Sequence, residues 1–226
     1  MDSKLFRTAF RDTIPVMTGY LFLGFGFGIL AQQNGLSLWW ALAMSAFIYA
    51  GSMQFVAVTM LSGGTNIFAA ALTTLAVNAR HLFYGLSMID RYKSTGKKKP
   101  YLIFSLTDET YSLVSQKEPG QDRGNYYFLV SALDQFYWCF GTLLGAAAGQ
   151  WIPLNYEGID FVLTALFVTI FVEQWLSTKN HLPAVIGLAA SVACRIVFGS
   201  NAFLIPSMGL ITLLLLLTRG KEAKHE

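Results

Sequence analysis

Charge is what this sequence has least of. Asp, Glu, Lys and Arg make up 13% of its 226 residues, against 54% that are hydrophobic. A water-soluble domain needs about a quarter of its residues charged to cover its surface. That class is therefore excluded, and the outer surface is expected to meet lipid. Cysteine is nearly as scarce. Cys139 and Cys194 are the only two, both lie in apolar surroundings, and no CxxC pair or neighbouring histidine accompanies them. A disulfide or metal framework is thereby excluded, and both read as small hydrophobes. Also missing are HExxH, a Walker A loop, GxSxG and a dinucleotide fingerprint, so no enzymatic constellation, cofactor or metal site is expected. The net charge of +3 does not suggest nucleic acid, because the basic residues sit mostly outside the apolar segments, where they can meet anionic lipid.

Long charge-free runs are what the sequence does have. They span Thr13 to Ala79, Gly124 to Leu133, Gln135 to Tyr156 and Ile196 to Thr218. A bilayer core about 30 Å thick takes roughly 20 apolar residues per helix. Apolar segments are read at 14–31, 37–61, 66–89, 101–115, 126–149, 160–177, 183–199 and 201–218. They lack the two-residue alternation of a membrane β-barrel and are too continuously apolar for its strands. The expected fold is all-α: a polytopic transmembrane helix bundle of about seven to eight segments. The first run has no small-residue cleavage site, so it is expected to stay as a helix. The start MDSKLFRTAFRD reads as a short amphipathic helix on the cytoplasmic surface.

The chain echoes itself. GFGFGILAQ at 24–32 resembles GTLLGAAAGQ at 141–150, MQF at 53–55 matches EQW at 173–175, and AVNARHLFYG at 76–85 matches SVACRIVFG at 191–199, pairing Arg80 with Arg195. The order is the same in both halves. One domain over 1–226 is expected, with repeat halves at 14–89 and 126–218 joined by 90–125, a plan that recurs in secondary transporters. The alternative is a chance likeness between glycine-rich apolar segments.

The densest basic group, RYKSTGKKK at 91–99, would face outward if every preceding segment crossed from a cytoplasmic N-terminus, against the positive-inside tendency. A break before residue 91 restores the bias. YAGSMQ at 49–54 is the place for it, since Gly51 and Ser52 can unwind a helix whose freed backbone lines a cavity. The short segment 101–115, with its two acidic residues, is the second candidate for a break.

Ionisable groups in lipid cost several kcal/mol and are usually held for substrate, protons or a structural pair. Those here are Arg80, His81, Asp108, Glu109, Asp134, Glu173 and Arg195. Arg80 reads as a bidentate partner for a carboxylate or phosphate, or equally as an internal salt bridge or a snorkelling side chain. Asn78 and His81 share a helical face. His81 can titrate in a proton path, or simply hydrogen-bond within the bundle. Asp108 and Glu109, flanked by threonines, offer one group for an ammonium and one for a proton, or else cap a helix. Asp134, deep in its segment, calls for an interior partner. Glu173, near a segment end, suits proton coupling or the interface.

At GFGFGILAQQNGLSLWWALAMSAFIYAGSMQFVAV, LAVNARHLFYGLSM and FSLTDETYSL, the chain resembles the AzlC family of branched-chain amino acid exporters, over about residues 10–215. The resemblance implies export of leucine, isoleucine, valine and similar amino acids across the bacterial inner membrane, coupled to protons. It also implies a small hydrophobic AzlD-like membrane subunit as partner. No residue map comes with it. On their polar character in apolar context, Ser52, Gln54, Asn78 and Arg80 are expected to bind substrate, and His81, Asp108, Glu109, Asp134 and Glu173 to couple protons. A channel and a non-transporting membrane scaffold stay open as alternatives.

The basic cluster yields a topological prediction. A cysteine at Ser94 should resist impermeant thiol reagents added from the periplasmic side. Efficient labelling from outside would remove the reason for a break before residue 91.

Overall fold

The computed structural model describes residues 3–116, 123–151, 161, 164–165, 168, 171–172, 175–176 and 180–222. The side chains of 76, 80, 82, 83, 116, 200–202, 204, 205, 208 and 219–222 lie outside that description. The described residues are helical, without strands, and fall into two compact units, Met1–Leu166 and Phe167–Glu226.

In the first unit the helices are α1 (Ser3–Gln33), α2 (Leu38–Ala43), α3 (Gly51–Ser62), α4 (Ile67–Tyr92), α5 (Lys99–Phe104), α6 (Asp108–Gln116) and α7 (Arg123–Trp151). Local chemistry sets several starts. Ser37 accepts from the Trp40 amide at the head of α2, and Asn66 from the Phe68 amide at the head of α4, each satisfying an amide that the helix itself leaves unpaired. The N-terminal stretch expected to form a short surface helix instead runs unbroken into α1, a single helix of 31 residues. Pro15 removes one N–H from it without ending it.

The centre of this unit is the seam between α1 and α7, which run parallel. Gly24 and Gly28 of α1 meet Gly141 and Gly145 of α7, all spaced by four so that each pair lies on one face. A methyl at Gly24 would sit 2.7 Å from the Trp138 carbonyl oxygen, and one at Gly141 2.8 Å from that of Leu21. At Gly145 it would overlap the Phe25 carbonyl, and at Gly28 that of Thr142. Small residues that admit backbone against backbone are the recurring solution for helix contact in lipid, where no hydrophobic force drives association. The two glycine strings that echo in sequence are thus the two sides of one interface. Above the seam, Trp138 meets Tyr20 edge-on at 5.4 Å and stacks on Phe27 at 6.4 Å; Phe55 of α3 meets Phe27 edge-on at 5.6 Å. Farther toward the N-terminal ends of α1 and α7, Ala9, Met88, Tyr92, Leu102, Val114, Tyr126 and Val130 form a buried cluster that ties α1, α4, α5, α6 and α7 together.

Two breaks interrupt the expected segments. After α2 the chain widens into a π-turn, Met44–Ile48. The Tyr49 amide donates to the Met44 carbonyl at 3.0 Å, and Tyr49 itself is left-handed at φ 45°. A non-glycine residue there costs roughly 1–2 kcal/mol. Gly51, at φ 28°, then restarts the helix as α3. The segment 37–61 is therefore two pieces. Segment 101–115 is likewise cut at Ser105–Thr107 into α5 and α6. The loop 93–98 is a short 3-10 turn bent at Gly96 (φ 59°). There Lys93 donates to Asp90 at 2.7 Å and holds its carboxyl below the ordinary carboxylate range.

In the second unit α8 (Leu182–Ala202) and α9 (Leu204–Glu222) pack together. Gly199, at φ 75°, breaks α8 near its end. Arg195 lies with its guanidinium 5.7 Å from the Phe203 ring. Cys139 and Cys194 are both free thiols.

The expected seven to eight spans are matched in part among the described residues. Among the described residues two helices are long and apolar enough to cross a membrane as single pieces, Ser3–Gln33 and Leu182–Gly199. The pieces at Leu38–Ile48, Gly51–Ser62 and Gly209–Thr218 are shorter. Backbone breaks lie within segments 37–61 and 101–115, where uninterrupted apolar helix was read. Most of segment 160–177 falls outside the described residues.

The seam predicts a graded response. Gly145→Val should cost at least about 1–3 kcal/mol through overpacking and lower the melting temperature of the detergent-solubilised protein. Gly19→Ala, with open space around it, should leave that temperature unchanged.

Candidate functional site

The break at Tyr49–Ala50 opens onto a cavity of about 410 Å³. Ile48, Tyr49 and Ala50 line it on one side, and Asn78, His81, Gly85, Met88, Ile89 and Tyr92 of α4 on another. Lys99, Ile103, Phe104 and Leu106 close it. The α4 residues recur at three and four positions, so one face of that helix supplies a complete wall. The volume falls within the roughly 300–1,000 Å³ of small-molecule sites, and the lining has their character, mostly apolar with a few polar groups. At its edge α2 ends and α3 begins, bringing a carbonyl end and an amide end of helix close together. This is the arrangement by which broken helices in lipid receive charged groups.

Around the break α7 supplies one backbone partner and several side-chain partners. Gln135 donates to the Ala46 carbonyl at 2.9 Å, serving the π-turn, and accepts from Tyr101 at 2.7 Å. Gln54 is fully buried; its amide nitrogen donates to Ser45 at 3.2 Å and its oxygen accepts from the Trp138 indole at 3.0 Å. Ser45 continues to Thr142 at 2.8 Å. Gln54 is thus committed within the protein and does not line the cavity. Ser52, in the first turn of α3, is buried and also off the cavity wall.

A second polar assembly lies at the other break. Thr107 caps α6: its Oγ1 accepts from the Thr110 amide at 3.2 Å, and Asp108 and Glu109 occupy the first turn, where the helix dipole favours negative charge. Tyr20 of α1 donates to Glu109 at 2.7 Å and contacts Thr107 Oγ1 at 2.7 Å. Thr110 donates to Asp134 of α7 at 2.8 Å. Asp134 is fully buried, and its other oxygen has no hydrogen-bond partner.

Of the expected site residues, the structure thus brings Asn78 and His81 together on the cavity wall, and Glu109 and Asp134 into one assembly. Asp108 opens α6 beside Glu109. Arg80 is helical in α4 with its side chain outside the described residues, and Glu173 lies outside them altogether. Four contributors were not read from sequence. Lys99 was taken as topogenic charge, though Pro100 after it marks a helix start. Tyr49 and Tyr20 look like interfacial aromatics. Thr110 stands three residues after the capping Thr107, the spacing by which a cap reaches an orphan amide. Among the described residues no three His, Cys, Asp or Glu side chains converge to hold a metal.

The family model of the AzlC protein matches residues 15–152, from α1 through α7. The chain is 47% identical to the branched-chain amino acid transport protein AzlC of Bacillus subtilis, across 92% of this chain and 85% of that one. The chain belongs to the AzlC family. Two other relatives carry less specific names. An uncharacterized membrane protein of Helicobacter pylori is 41% identical over 96% of both chains. The inner membrane protein YgaZ of Escherichia coli is 30% identical over 90% of this chain and 84% of its own. No solved structure matches. The AzlC match contains the seam, both breaks and every residue of the cavity.

The commitment of Gln54 carries a prediction. Gln54→Ala leaves the Trp138 indole N–H buried without its partner, at about 1–3 kcal/mol. It should lower the melting temperature of the purified protein.

Proposed function

We propose that this chain exports branched-chain amino acids across the bacterial inner membrane, as a multi-pass secondary transporter coupled to the proton gradient. It works with a small hydrophobic AzlD-like subunit. The observation that carries the reading is the helix break opening onto an apolar cavity with a few polar groups, which suits a small zwitterion with an aliphatic side chain. The name of the Bacillus subtilis relative supports the substrate class.

In this reading the substrate carboxylate sits at the amide end of α3 and is held by Asn78, Lys99 and Arg80, with Ser52 behind it in the first turn of that helix. Gln54 fixes that turn to α7. The ammonium faces the carbonyls that close the π-turn, and the aliphatic side chain lies against Met88, Ile103 and Phe104. His81, Asp108, Glu109, Asp134 and Glu173 serve proton coupling. Halves at 14–89 and 126–218 form a repeat. The matching glycine strings of α1 and α7 support this repeat.

The test is counterflow of labelled amino acids in proteoliposomes, with and without the small subunit. A transporter should exchange leucine, isoleucine and valine in preference to charged amino acids. A channel would show flux without counterflow, and a scaffold neither. Arg80→Lys keeps the charge but loses the planar fork; leucine exchange should fall at least about tenfold, the worth of one charge-assisted hydrogen bond. Normal exchange by Arg80→Gln at equal membrane abundance would refute a substrate role for Arg80.

A further inference from the structure

Five side-chain oxygens stand in a row across three elements. Glu109 Oε2 is 2.7 Å from Tyr20 Oη, which is 2.7 Å from Thr107 Oγ1; that is 3.1 Å from Thr110 Oγ1, which is 2.8 Å from Asp134 Oδ2. Tyr20, Thr107, Thr110 and Asp134 are all buried, and Glu109 is half-buried. The row thus joins a half-buried carboxyl to a fully buried one.

Its protons can be counted. A hydroxyl has one hydrogen to donate and an ionised carboxylate has none. Four oxygen–oxygen contacts therefore share three hydrogens. Tyr20 donates to Glu109 and Thr110 donates to Asp134, so the single hydrogen of Thr107 can serve Tyr20 or Thr110 but not both. One contact is always without a proton. A single added proton, on either carboxyl, fills all four, and the two resulting arrangements differ only in the direction in which every hydroxyl points.

We propose that this row binds one transported proton and passes it between Asp134 and Glu109, a role that rests on the transporter reading above. The proton leaves Asp134 Oδ2 for Thr110 Oγ1 as the hydrogen of Thr110 moves to Thr107, that of Thr107 to Tyr20, and that of Tyr20 to Glu109. Asp134 ends ionised, Glu109 ends neutral, and each hydroxyl keeps one hydrogen. Asp134 Oδ1, buried without a partner, marks the inner terminus. The groups facing Asp134 are Tyr20 of α1, Tyr49 at the break, Tyr101 of α5, Glu109 of α6, and Tyr126 and Tyr137 of its own helix. Glu109 is faced by Tyr20 and Tyr49, with Asp108 beside it. The tyrosines are phenols with an ordinary pKa of about 10, so the two terminal carboxyls are the exchanging members of the row.

Tyr20→Phe keeps the ring against Trp138 and removes the oxygen; Thr110→Val interrupts the row independently. Infrared difference spectra of the full chain, titrated through neutral pH, should show a protonated-carboxyl band that disappears in Asp134→Asn. Its midpoint should move by about one pH unit in Tyr20→Phe and Thr110→Val. A band indifferent to Asp134→Asn, or a midpoint unchanged in both interrupting variants, overturns the proposal. In proteoliposomes, Tyr20→Phe should keep leucine counterflow within about twofold while gradient-driven transport falls about tenfold or more. Equal gradient-driven transport in Tyr20→Phe and wild type overturns it too. Absence of counterflow in the wild type would instead sink the transporter reading, and the infrared titration would still judge the row.

Discussion

The polar contacts that join α1, α6 and α7 depend on the approach of α1 to α7. With glycine at four facing positions the two backbones touch, and the side chains just beyond the glycines are brought within hydrogen-bond reach. Thr13 meets Tyr137 at 3.2 Å, Tyr126 donates to Asp12 at 2.8 Å, and Tyr20 arrives at the head of α6. A methyl group on the seam would open it by more than a hydrogen bond tolerates. The seam is thus the reference from which the breaks, the cavity and the row of hydroxyls take their positions.

The second constraint is that lipid offers no partner for an exposed amide or carbonyl. Two of the departures from regular helix, the π-turn and the start of α6, are accordingly met by a side chain. Gln135 serves the π-turn, Thr107 caps α6, and Gln54 and Ser45 join α3 to α7. Backbone that is irregular at this depth persists because it is supported from α7 and because its open side lines a cavity. Gln135, Trp138 and Thr142 on α7 each serve one of these contacts, which accounts for part of its polar content.

Much of this was legible in sequence, and what was missed has a common cause. The break at Ala50–Gly51 showed as glycine and serine in an apolar run, and the burden of Asp134 showed as charge in an apolar segment. The all-helical class followed from apolar length without alternation. The π-turn left no signal, because Met44–Ile48 would read equally well as α-helix. The bond between Tyr20 and Glu109 spans 89 positions, and nothing local announces it; a tyrosine in an apolar run looks the same whether it faces lipid or a carboxylate. The glycine echo was visible as likeness, but likeness does not say that the two strings touch. Lys99 was hidden in a run of like residues whose collective meaning was topological.

Glycine also decides how the seam responds to temperature. Closing it freezes no side-chain rotamer, so the entropy that opposes most packing is absent there. In lipid its attraction comes from dispersion between close atoms rather than from release of water. An apolar contact made in water carries a large heat-capacity change and weakens on cooling. A dry glycine seam has no such term, so the frame that holds the polar groups keeps its strength in the cold, where an aqueous core of similar extent would lose part of its own.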